Sequence, residues 1–192
     1  MRGFEFVSGI LGVVLALAVF EILRGFGRGL KRPGARPTRI GWLSPMLGLF
    51  LLYDIATFWA SAWAAREVVA ATMPALALGL AITGLYVFAA SQLWPEPGDD
   101  AGWADGNAWM LAHKRRIALS ILAANALGVA ATMRFVPRSW PPASTEAWML
   151  ALYFALLLAL ASVRGTRATT VVLALALLEY AADLVMHLPA WT

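Results

Sequence analysis

Six apolar blocks, separated by short polar or basic stretches, constrain this chain more than any other feature. They fall at about 4–23, 40–64, 68–93, 117–133, 147–163 and 168–189. A helix needs ~20 apolar residues to cross the hydrocarbon core of a bilayer, and every block lies in or near that range. The blocks are rich in Ala, Leu and Gly. They lack the ~10-residue alternation of apolar and polar positions that a transmembrane β-barrel requires. Only 14% of the residues are charged and 61% are hydrophobic, whereas a soluble domain carries roughly 25% charged residues. The expected fold is therefore all-α, a single polytopic transmembrane helical bundle over residues 1–192. The blocks at 117–133 and 147–163 are the shortest, so either both cross with little tilt or one is re-entrant.

Basic residues set the expected orientation. Eleven of the 15 lie in the first, third and fifth connections: Arg24, Arg28, Lys31, Arg32, Arg36 and Arg39, then Lys114, Arg115 and Arg116, then Arg164 and Arg167. The other four, Arg2, Arg66, Arg134 and Arg138, lie on the opposite side. Cytoplasmic loops collect Lys and Arg, so six spans with both termini outside is the expected topology. The N-terminal block reads as a retained helix rather than a secretory signal, since its charges mostly follow it and no small-residue cleavage site appears. Trp42 and Trp94 fall at cytoplasmic ends and Trp63, Trp148 and Trp191 at outer ends, the depth at which an apolar indole with one N–H prefers to sit. A positive charge gathered in loops reads as orientation, and nucleic-acid binding is not expected.

The spans keep acids but no bases. Asp54 lies in the second, and Glu179 and Asp183 in the sixth. Counting ~1.5 Å per residue from the cytoplasmic edge puts all three at roughly 16–22 Å. Glu179, Asp183 and His187 follow at intervals of four and share one helix face; Asp54, Thr57 and Ser61 share another. An ionisable group inside a membrane costs roughly 3 kcal/mol on insertion scales and usually faces the bundle interior or a water-filled cavity. The functional expectation is a path for protons or small cations through Asp54, Glu179 and Asp183, with His187 at its outer mouth. Because six helices make a thin bundle, a pore between subunits of a homo-oligomer is part of that expectation. The structural alternative is that Glu179 or Asp183 is protonated and hydrogen-bonded to Asn125, Tyr53 or Thr83, or that Asp183 pairs with Arg134 or Arg66. The chain is then a non-catalytic membrane scaffold or sensor packing against partner helices through surfaces such as 75–84.

Other chemistry finds little support. With no cysteine, thiol catalysis and thiolate metal sites are excluded. His113 and His187 fall on opposite sides, which disfavours a haem held by two histidines; a metal bound by Asp183 and His187 stays open. There is no HExxH pair, GxSxG elbow or phosphate-binding glycine loop, so no enzyme activity and no cofactor are expected. The run Arg24-Gly25-Phe26-Gly27-Arg28-Gly29 reads as a flexible basic turn able to engage anionic lipid headgroups. The third connection, from Trp94-Pro95 to Arg116, reads as a solvated linker in preference to a small interfacial helix holding Trp103 and Trp109. Pro45 and Pro74 either kink their spans or occupy first turns.

Three stretches carry a resemblance: Glu21-Ile22-Leu23-Arg24-Gly25 through Arg28; Phe58-Trp59 with Trp63 and Arg66; and Leu85-Tyr86 leading to Trp94-Pro95. Together they resemble a family of small multi-pass proteobacterial inner-membrane proteins. The resemblance implies a bacterial inner-membrane setting and carries over no activity.

Overall fold

A computed structural model of the chain describes residues 2–31, 41–66, 72–135 and 145–187. All regular structure among them is helical. The elements are α1 (Arg2–Lys31), α2 (Leu43–Ala64), α3 (Met73–Ser91), a short α4 (Asp100–Ala104), α5 (Gly106–Phe135), α6 (Thr145–Ser162) and α7 (Thr166–His187). Among the described residues four stretches are long and apolar enough to cross a membrane: Val7–Lys31, Leu43–Ala64, Met73–Ser91 and Gly106–Arg134. A shorter apolar helix covers Ala147–Ser162. Large apolar side chains such as Val13, Leu17, Leu152, Leu158 and Leu178 face outward, which suits lipid and would be costly in water. The chain is a membrane protein built of several apolar helices.

The packing has a hub. Helices α1, α3, α5, α6 and α7 form an arc in which each touches the next, and α2 lies inside it against α1, α3, α5 and α7. The buried residues of α2 explain the position. They form two adjacent rows, Leu43–Leu47–Phe50–Asp54 and Ser44–Gly48–Leu51–Ile55. Steps of four, three and four keep both rows on one broad face.

Local chemistry fixes the helix ends. Asn107 of α5 accepts from the Leu43 N–H at 3.3 Å and so caps α2. The preceding Gly41 has φ +68° and lies hard against Asn107, a place where only glycine is unstrained. Thr72 caps α3 by accepting from Ala75 N–H, and Pro74 sits in that first turn. Pro45 is likewise the third residue of α2. Neither proline needs to kink a span, because first-turn N–H groups have no intrahelical acceptor.

Several expectations change. The Arg24–Gly29 run is not a flexible turn; α1 continues as one 30-residue helix to Lys31. Gly25 serves packing, since a Cβ there would overlap the Trp94 indole. Nor is the third connection a solvated linker. Trp103 is buried and stacks on Trp94 with ring centroids 6.3 Å apart, and Asp99 caps α4 by accepting from Gly102 N–H at 2.9 Å. The block at 117–133 belongs to a 30-residue helix, because α5 starts eleven residues earlier behind its own cap, Asp105, which accepts from Ala108 N–H. That helix takes Lys114 out of the loop and into the protein. Its ammonium is buried and donates to the carbonyls of Leu160 (2.5 Å) and Val163 (2.7 Å), the free acceptors at the end of α6.

Candidate functional site

Asp54 occupies a position that the apolar rows of α2 would give to Leu or Ile. It is 1% exposed. Because α2 is the hub, its side chain is within reach of almost every other long helix. Tyr153 of α6 donates to Oδ1 at 2.7 Å, and Tyr180 of α7 donates to the same oxygen. Asn125 of α5 donates from Nδ2 to Oδ2 at 3.0 Å. The same amide nitrogen lies 2.8 Å from Tyr153 Oη and 3.3 Å from Tyr86 Oη of α3. One carboxyl thereby gathers groups from four helices besides its own.

Aromatic rings seal the cluster. Phe50 packs against Tyr153 and Tyr180 at centroid distances of 6.2 and 5.3 Å. Tyr53 lies 4.6 Å from Tyr180, and Phe58 5.6 Å from Tyr86. All 4 tyrosines of the chain therefore converge on this site. A carboxyl removed from water must have its lone pairs satisfied by the protein, and here neutral donors satisfy them.

The arrangement is adaptable. Besides the carboxyl and two phenols, the Asn125 nitrogen is 3.1 Å from Ile121 O, so its two N–H groups face four acceptors. A phenol hydroxyl both donates and accepts, whereas an ionised carboxylate only accepts and a protonated one also donates. Rotating hydroxyls can thus accommodate Asp54 with or without its proton while the heavy atoms stay in place.

Of the residues singled out from the sequence, Asp54 and Asn125 come together. Thr57 does not join them; its hydroxyl donates to the Asp54 backbone carbonyl at 2.9 Å. Ser61 is exposed. Thr83 is buried but donates to Gly79 O within its own helix. Glu179 precedes Tyr180 in α7 and is half-buried, with Oε2 shielded from solvent; it is not one of the groups that bond Asp54. The side chains of Asp183 and His187 lie outside the described residues. His113 lies on α5 as Asn125 does, but its ring stacks on Trp109 at 3.9 Å and bonds the Trp109 carbonyl rather than a member of the cluster. Among the described residues no three His, Asp or Glu side chains are grouped as a metal site.

Sequence reasoning missed Tyr86, Tyr153 and Tyr180 as members of the site. A signal was present. Tyrosine in membrane proteins favours the water interface, yet these three lie well inside apolar blocks, where each hydroxyl needs an internal partner. The chain matches no known protein family, no curated protein and no solved structure.

Proposed function

We propose that the protein binds and passes protons at Asp54, within a six-span bundle whose termini both lie outside the cytoplasm. The observation that carries this reading is the buried Asp54 carboxyl with Tyr153, Tyr180 and Asn125 bonded to it. A proton fits such a site better than a hydrated cation. It needs no cavity and can move along hydroxyls that both donate and accept, whereas a cation needs several oxygen ligands and space for them. The topology draws support from the eleven-to-four division of basic residues. A bacterial inner membrane draws support from the resemblance of the 21–28, 58–66 and 85–95 stretches.

Protein reconstituted in vesicles with an internal pH indicator tests the proposal. An imposed membrane potential should drive proton flux through the wild type, and Asp54→Asn should abolish it while leaving helicity and elution volume intact. Flux unchanged in Asp54→Asn, or none in the wild type, overturns the reading.

A second reading has its own observation. The same bonds join α2 to α3, α5, α6 and α7, directly or through Asn125, so the cluster can serve as polar glue in a non-catalytic scaffold. Under that reading Asp54→Asn lowers stability and the wild type carries no flux.

A further inference from the structure

One face of α1 changes character along its length. Val13, Leu17 and Phe20 are 65%, 52% and 56% exposed, and the same face continues as Arg24, Arg28 and Lys31. Spacings of four, three, four, four and three keep all six within a narrow angular sector of one helix. The apolar part covers about 10 Å of helix, enough to lie along the headgroup-proximal part of a lipid chain. The basic part begins where such a chain would meet its phosphate.

The basic end is also one wall of a cleft of about 610 Å³. The facing wall is the Pro97–Gly98 turn, with Asp100 and Trp103. This wall is built rather than loose. Trp103 donates to Glu96 O at 3.1 Å, Asp99 N–H donates to the same carbonyl at 3.1 Å, and Trp103 stacks on the buried Trp94. Gly98 closes the turn at φ +96°. The Trp94 indole in turn sits on Gly25 of α1, which holds the two walls together. Arg24 is paired with Glu21 at 3.2 Å; neither Arg28 nor Lys31 has an ion-pair partner among the described residues. With Asp100 as the opposing charge, the cleft remains net positive.

The geometry points to a binding site for an anionic phospholipid, with its phosphate in the cleft beside Arg28 and Lys31 and an acyl chain along Val13, Leu17 and Phe20. A membrane-embedded helix end is where such headgroups lie, and juxtamembrane cations attract them. The continuous apolar row distinguishes a lipid from a soluble phosphate, which has no use for it. This site is independent of the Asp54 cluster and of any proton flux.

Native mass spectrometry of the full chain, released from mixed micelles of phosphatidylglycerol and phosphatidylcholine, tests it. The wild type should retain phosphatidylglycerol preferentially. Arg28→Gln/Lys31→Gln should reduce that preference about thirtyfold, taking each membrane-surface cation at its usual worth of about 1 kcal/mol. The control Arg115→Gln/Arg116→Gln removes the same charge from exposed positions of α5 and should leave the preference intact. Equal loss in both variants would mean bulk charge attraction, and no loss in the first would mean no site; either overturns the proposal. Displacement of the lipid by millimolar glycerol phosphate would assign the cleft to a soluble phosphate and also overturn it.

Discussion

Tyr153 Oη donates to Asp54 Oδ1 at 2.7 Å, joining side chains 99 positions apart in the chain. The bond links the innermost helix, α2, to α6, the shortest of the helices in the arc. Tyr153 also accepts from Asn125, so its hydroxyl lies between the carboxyl and the amide. Removing it would leave both with one partner fewer in a place that water does not reach.

Tyr153→Phe should therefore destabilise the protein by about 1–3 kcal/mol, the cost of leaving a buried polar group short of a partner. Unfolding of the purified protein in mixed micelles measures the change. In a double-mutant cycle with Asp54→Asn the two substitutions should couple by at least about 0.5 kcal/mol. Strict additivity would mean that the bond contributes nothing.

Lys114→Met should cost about 1.5–3 kcal/mol, the range for hydrogen bonds to a charged donor. The ammonium serves two carbonyls at the end of α6, and no apolar side chain can replace it. Faster amide hydrogen exchange should follow in the last turn of α6 and the turn around Gly165, while α1 stays unchanged.

Gly25→Ala and Gly27→Ala form a matched pair two residues apart. At Gly25 a Cβ overlaps the Trp94 ring, whereas at Gly27 no atom lies within 4 Å. The first should destabilise by about 1–3 kcal/mol through overpacking. The second should be neutral or stabilise by up to about 1 kcal/mol through the better helix propensity of alanine. Thermal unfolding of the two variants side by side checks the contrast, and similar values would deny the close approach of α1 to Trp94.

Asn107→Ala should cost about 0.5–2 kcal/mol, the usual worth of a helix cap. The cap is unusual in coming from another helix, because Trp42 at the start of α2 makes no capping bond with its own side chain. Amide hydrogen exchange should accelerate at Leu43, and thermal unfolding should shift downward.

The all-α class was legible in the apolar blocks, because a backbone in lipid must satisfy its own hydrogen bonds and length alone then specifies a helix. Asp54 was legible too, since a lone acid in an apolar run is costly enough to stand out. The i, i+3, i+7 companions Thr57 and Ser61 were misleading. A hydroxyl in a helix can bond its own backbone, as Thr57 does, so sharing a face does not imply sharing a site. The three tyrosines were missed because each is an ordinary apolar ring until another helix brings its hydroxyl to a partner.

By itself, then, the sequence determined that this chain forms apolar helices, that one acid lies deep in the second, and that positive charge gathers at the ends of particular apolar blocks. Those properties follow from local composition and spacing. Only the tertiary structure decided that α2 is the hub, that Tyr86, Tyr153, Tyr180 and Asn125 converge on Asp54, and that Lys114 leaves the loop to cap α6. Contacts such as Tyr180 with Asp54, separated by 126 residues, depend on which helix faces pack together. Helical periodicity identifies a face; only packing chooses its neighbour.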